Sequence, residues 1–161
     1  RQALAIAEWG DNVYVKIPIT NTRQQSASRL IQRLSSQGVS LNITAILAIQ
    51  QVQEVAAAVQ NGPGCIVSVF AGRIADTGVD PVPIMKDALA ILEQVPNAEL
   101  LWASPREVLN IYQADAIGCD IITATNDLLQ KLALAGKDLA EYSLETVRMF
   151  YNDAQKAGYE L

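Results

Sequence analysis

Five short β-rich runs, each followed by a stretch of helical periodicity, succeed one another along this 161-residue chain, and no other feature limits its fold as much. Residues 13–19 (VYVKIPI), 39–44 (VSLNIT), 65–70 (CIVSVF), 99–103 (ELLWA) and 120–125 (DIITAT) read as strands. The first helix is expected from near Thr22 to about Ser36, with Gly38 as its stop, and the next from about Ala48 to Gln60, ending at Asn61-Gly62. Asp80-Pro81 marks a third, as an N-cap followed by proline at the first helical position. Ser104-Pro105-Arg106-Glu107 opens a fourth as a capping box, stopped by Gly118. Helices near 127–135 and 143–157 follow, the second stopping at Gly158.

Strand–helix–strand connections of this length imply α/β architecture, with parallel strands joined by right-handed crossovers. No Gly/Ser-rich linker or break in composition divides the chain, so residues 1–161 read as a single domain. Half of the residues are hydrophobic, enough for a core, and an aromatic content of 6% makes that core aliphatic and alanine-rich.

Two architectures compete: an open doubly wound sheet and part of a (β/α)8 TIM barrel. The dinucleotide-binding version of the first carries G-x-G-x-x-G after its first strand, and this chain has no such run. The second puts polar residues on one parity of each strand, near the C-terminal end. Lys16 and Tyr14 share one parity while Val13, Val15 and Ile17 take the other; Asn42 and Thr44 oppose Leu41 and Ile43. Ser68 and Phe70 oppose Val67 and Val69, and Thr123 and Thr125 oppose Ile122 and Ala124. A barrel interior with a reactive upper layer explains this better than an open sheet. Five units do not close an eight-stranded barrel, which takes about 250 residues, and residues 1–10 look like the end of a helix. The expectation is that about three strands lie upstream and that this chain holds barrel strands four to eight and a C-terminal helix.

The chain contains no histidine, which removes Ser–His–Asp and Cys–His mechanisms and deprives zinc of its commonest nitrogen ligand. A formal net charge of −5 without a basic run argues against nucleic acid as a partner. Cys65 and Cys119 show neither CxxC nor metal-ligand spacing and read as buried reduced thiols, favouring the cytosol over an oxidising compartment. No apolar stretch reaches membrane-spanning length, and no signal or lipidation motif is visible.

Lys16 is the most informative residue, because it sits mid-strand among apolar neighbours in Tyr14-Val15-Lys16-Ile17-Pro18. One reading is an edge-strand lysine that discourages aggregation. The other is a Schiff-base lysine, whose amine must be neutral to attack a carbonyl. Bringing such a pKa from about 10.4 to about 7 takes roughly 4–5 kcal/mol of differential solvation, which an inward barrel position supplies.

Five segments carry a family resemblance. Asn12-Val13-Tyr14-Val15-Lys16-Ile17-Pro18-Ile19-Thr20 resembles the lysine strand of the transaldolases, including the small members related to fructose-6-phosphate aldolase. Leu41-Asn42-Ile43-Thr44 is similar to their N-[IVL]-T strand, and Ser68-Val69-Phe70-Ala71-Gly72-Arg73 to S-P-F-V-G-R, with Val69 replacing proline. Ala103-Ser104-Pro105-Arg106 resembles A-S-F-R, with Pro105 for phenylalanine, and Gly118-Cys119-Asp120-Ile121-Ile122-Thr123 resembles G-C-[DH]-[IY]-[IL]-T. The motifs stand in the family's order and cover most of the chain.

The resemblance implies a cytoplasmic Schiff-base enzyme that moves a dihydroxyacetone unit between sugar phosphates in the pentose phosphate pathway, with no metal or organic cofactor. Lys16 then forms the Schiff base, Asn42 hydrogen-bonds near it, and Thr44 supports the catalytic water and proton transfers. Ser68 and Phe70 line the substrate's path, and Arg73, Ser104 and Arg106 match the positions that bind phosphate, where guanidinium groups join helix-terminal amides. For Arg106 the plainer alternative is a partner for exposed acids, and for Ser104 a helix cap. Phe70 favours transfer over the aldolase branch, which carries tyrosine there and cleaves reversibly without an acceptor. The family also draws an aspartate from its first strand and a glutamate from its third, which this reading places before residue 1; Asp11 and Asp76 do not match them. A third alternative is a sugar-phosphate-binding or assembly remnant that keeps the phosphate site without the chemistry. Trp9 and Trp102 read as packing or anchoring residues, not as a platform for a sugar, and Asp115, Glu141, Glu145 and Asp153 as solvating ones. The last helix, with Val147, Phe150 and Tyr151 on an apolar stripe, is expected over the barrel mouth or against a second subunit, giving a homo-oligomer.

Overall fold

A computed structural model describes residues 1–159, and its internal contacts divide it into two compact units at Thr125/Asn126. The first unit contains α1 (Gln2–Ala7), β1 (Val15–Pro18), α2 (Ser28–Ser36), β2 (Leu41–Ile46), α3 (Ile49–Val59), β3 (Cys65–Val69), α4 (Ala71–Asp76), α5 (Pro81–Leu92), β4 (Ala98–Trp102), α6 (Val108–Ala116) and β5 (Ile121–Ile122). The strands form one sheet in the order β1-β2-β3-β4-β5, and each pairs in parallel with the next.

That order separates the two α/β architectures. A doubly wound sheet reverses direction once and so places helices on both faces. Here every right-handed crossover advances the same way, so the crossover helices fall on one face, as in a TIM barrel. Helix α2 packs on α3, α3 on α5, and α4 on α5. Their apolar stripes meet Val15, Ile17, Leu41, Ile43, Cys65, Val67, Val69, Leu100 and Trp102 in one core. The parity holds across the register, for Leu41 stands beside Cys65, Cys65 beside Ala98, and Val69 beside Trp102. Ile46 belongs to the same core although simple alternation would turn it away. A register shift between Ile43 and Ile46, with Ala45 at φ 62°, inserts one residue and restores Ile46 opposite Val69.

Several boundaries differ from the sequence expectation. The helix expected from near Thr22 starts at Ser28, because the Asn21 carboxamide oxygen accepts from the Arg23 and Gln25 amides at 2.9 and 3.0 Å and closes a turn bridged by Thr20 and Ser26. Helix α4 was not anticipated. Of the tryptophans, Trp102 is fully buried, whereas Trp9 is exposed.

Both thiols are free; Cys65 is buried and Cys119 half-buried. Burial pushes Cys65 up from 9.0 to about 12 and raises Cys119 as well. The native state therefore keeps a proton on Cys65 that the unfolded chain loses above pH 9, so stability falls as pH climbs from about 9 to about 12. A rise of this size corresponds to about 4 kcal/mol for one group. Urea midpoints of the wild type and Cys65→Ala, taken at intervals across that range, should converge as pH rises, because only the wild type carries this term. Parallel pH dependences would refute it.

The second unit comprises α7 (Asn126–Lys131), a 3-10 turn (Leu132–Leu134) and α8 (Leu139–Lys156). Helix α8 begins four residues before its expected start because the Asp138 carboxylate accepts from the Ala140 and Glu141 amides, both at 2.9 Å. Lys137 pairs with Glu145 and lies 4.9 Å from the Tyr142 ring centroid. No residue of α8 is buried, and Val147, Phe150 and Tyr151 are all exposed. No helix among the described residues is long and apolar enough to cross a membrane.

Candidate functional site

The face of the sheet opposite the crossover helices carries the polar residues. In parallel register Lys16 stands beside Asn42, Asn42 beside Ile66, and Pro18 beside Thr44. Ser68 lies one side-chain step further along β3 than Ile66 and donates its hydroxyl to Asn42 Oδ1 at 2.7 Å. That bond fixes the carboxamide with its oxygen toward β3, and among the described residues no bond from Asn42 Nδ2 accompanies it. The sheet thus brings Lys16, Asn42, Thr44 and Ser68 together on three adjacent strands.

Their environments differ sharply. Ser68 is fully buried and Thr44 nearly so, and the Thr44 hydroxyl is a buried polar atom without a hydrogen-bond partner among the described residues. Such atoms are few in folded proteins, and the Trp102 indole nitrogen is the other one among the described residues. Lys16, in contrast, is exposed, not desolvated as its inward parity suggested. The parity is right, but β1 is an edge strand in this sheet, with a neighbour on one side only, and solvent reaches the side chain. Removing the Ser68 hydroxyl takes away one bond to a partner that still meets solvent. Ser68→Ala should therefore lower unfolding free energy by about 1 kcal/mol in urea titration, and an unchanged midpoint would mean the bond carries no net stability.

Above β3 and β4 the anion-type residues gather. Phe70 follows β3 as the N-cap of α4, and the Arg73 guanidinium lies 5.3 Å from its ring centroid. The turn into α4 is seated on the loop after β4. Gly72 donates its amide to the Ala103 carbonyl at 3.2 Å, and a Cβ on Gly72 would lie 1.5 Å from the Ser104 carbonyl oxygen. Only glycine permits that approach.

The expected cap at Ser104 is corrected. Ser104 has φ 59°, in the left-handed region, whereas an N-cap takes extended backbone, and α6 begins at Val108. Asn110 Oδ1 accepts instead from the Arg106 and Glu107 amides at 2.7 and 3.2 Å. Those two amides, expected to face an anion, are already paired, so what charge the loop offers comes from side chains. Arg106 itself pairs with Asp76 at 2.6 Å, each half exposed.

Arg106 thus has the partner among exposed acids that the sequence offered as the plainer alternative, but that the acid is Asp76, the third residue after Arg73, becomes visible only once α4 is recognised. Sequence reasoning passed over Asp120, whose carboxylate accepts from the Leu100 amide at 2.7 Å and ties the approach to β5 to β4.

Comparison with known sequences adds an independent line. The family model described as Transaldolase/Fructose-6-phosphate aldolase matches residues 1–161. A probable transaldolase of Nitrosopumilus maritimus (strain SCM1) is 31% identical over 129 residues, covering 79% of this chain and 54% of the relative. One of Streptococcus equi subsp. zooepidemicus (strain MGCS10565) is 31% identical over 132 residues, 81% of this chain and 58% of its own length. One of Brucella anthropi is 30% identical over 162 residues, covering 100% of this chain and 69% of the relative. The chain spans little more than half the length of the first two of these relatives.

Proposed function

Since the chain belongs to the transaldolase/fructose-6-phosphate aldolase family, we propose that it carries the Schiff-base and phosphate-binding half of an enzyme that transfers a dihydroxyacetone unit between sugar phosphates. The observation that carries this reading is the register pairing of Lys16 with Asn42, with Ser68 bonded to Asn42 on the same face. Lys16 Nζ, as the free amine, adds to the ketose carbonyl, and loss of water leaves an iminium. As the C4 hydroxyl gives its proton to a water supported by Thr44, the iminium accepts the electron pair of the breaking C3–C4 bond, the aldose leaves as an aldehyde, and the three-carbon unit stays on Lys16 as an enamine. The enamine carbon then attacks the acceptor aldehyde, and water releases the new ketose and the amine. Asn42, oriented by Ser68, presents Nδ2 to a substrate hydroxyl, and Thr44 offers its unpartnered hydroxyl to the transferring proton. Arg73, Ser104 and Arg106 receive the phosphate beyond the ends of β3 and β4. Phe70 stands where an aromatic without a hydroxyl favours transfer over release to water, and α8 with its exposed Val147, Phe150 and Tyr151 is the face through which copies associate.

On this reading the five strands correspond to barrel strands four to eight, which is supported by their single direction of advance and by the 69% of a relative that the alignment spans. The setting is cytoplasmic.

The test is mass spectrometry after borohydride reduction, with and without fructose 6-phosphate. The expected result is a substrate-dependent adduct on the peptide containing Lys16. A folded, full-length protein that takes no adduct, or takes it on another lysine, rules the assignment out.

A further inference from the structure

Arg106 does not stand alone above β4. Its guanidinium donates to the Asp76 carboxylate at 2.6 Å, and Asp76 follows Arg73 by three residues in α4, so both project from one side of that helix. The seating of Gly72 against the Ser104 carbonyl fixes the two segments that bear these charges against each other. Because the Arg106 and Glu107 amides are engaged by Asn110, the charge presented here comes from side chains: Arg73 and Arg106, the Asp76 carboxylate bonded to Arg106, and the exposed Glu107, for which no bond to either guanidinium is seen among the described residues. With the half-exposed pair worth little as a stabilising contact, its consequence is the local field.

We propose that Asp76 is the counter-ion of the phosphate site: it offsets one of the two guanidinium charges, lowers affinity for the phosphate dianion, and so sets how strongly phosphorylated ligands are preferred over unphosphorylated ones. This rests on the assignment of Arg73 and Arg106 to phosphate made above. A carboxylate bonded to Arg106 lies within one ion-pair distance of any anion that guanidinium binds, where a like charge in a partly solvated setting changes an equilibrium by about fivefold. The structure gives Arg106 one N–H bonded to Asp76, so its remaining donors can meet a phosphate while the carboxylate stays in place.

The experiment is isothermal titration of inorganic phosphate into the intact protein, Asp76→Asn and Arg73→Ala, at about 10 mM and about 150 mM salt. Asp76→Asn should bind phosphate about fivefold more tightly at low salt, by a smaller factor at high salt, with an unchanged melting temperature. The ratio of kcat/KM for a phosphorylated over an unphosphorylated aldehyde acceptor should rise by a similar factor. If Asp76→Asn binds phosphate equally or more weakly while Arg73→Ala weakens it, the counter-ion role is overturned and the phosphate site stands. If Arg73→Ala leaves phosphate binding unchanged, the phosphate assignment itself fails and the counter-ion role with it.

Discussion

Replacing Lys16 with methionine should reduce turnover by about 10⁴-fold or more while leaving the protein's unfolding free energy within about 0.5 kcal/mol of wild type. The two halves of this expectation come from different facts. The amine is the only atom of Lys16 able to form the imine, and a methionine of similar length carries no nucleophile toward a carbonyl. The side chain is exposed in this sheet and makes no hydrogen bond or ion pair among the described residues, so its removal breaks none. Steady-state kinetics and urea denaturation on the same preparation check both. A large loss of stability would show that Lys16 holds the sheet together, and retained turnover would place the imine elsewhere.

Gly72→Ala should cost about 3 kcal/mol or more, although it adds a single methyl group. The new Cβ would stand 1.5 Å from the Ser104 carbonyl oxygen and 2.6 Å from its carbon, both backbone atoms that cannot turn aside. Relief requires separating the α4 turn from the loop after β4, which also parts Arg73 from Arg106. Gly78→Ala provides the contrast: Gly78 has φ 81° and nothing near its Cβ position, so that variant should cost only about 1–2 kcal/mol for backbone conformation. Equal midpoints for the two variants in urea would show that the close approach is not a constraint.

Strands β1 to β4 and their parallel pairing were legible in the sequence because a period of two survives without help from tertiary contacts, whereas the strand expected over 120–125 shrinks to Ile121–Ile122 and leaves Thr123 and Thr125 outside it. Lys16, Asn42 and Ser68 fell on one face for that reason alone. What alternation could not supply was the bulge at Ala45, since nothing about alanine signals a left-handed backbone, and Ile46 joins the core only through it. Nor could it supply the exposure of Lys16, which depends on how many neighbours β1 has and not on β1 itself. The Ser104-to-Glu107 spacing satisfied a cap pattern, but a close approach fixed far along the chain, at Gly72, is met where Ser104 has its left-handed conformation, and Asn110 took over the capping contacts. The Arg106–Asp76 pair joins residues thirty positions apart, a distance no local pattern spans.

The single direction in which the strands succeed one another has a consequence for how such a sheet assembles. Every strand touches only the strand before it and the strand after it, so each β–α unit finds its partners within the adjoining stretch of chain. Order in this sheet therefore spreads as in a stack, from any neighbouring pair outward, much as in a repeat protein. A loss at β3 divides the stack in two. Asn42 and Ser68 lie on adjoining strands of that stack, so the bond between them can form as soon as the β2 and β3 units pair.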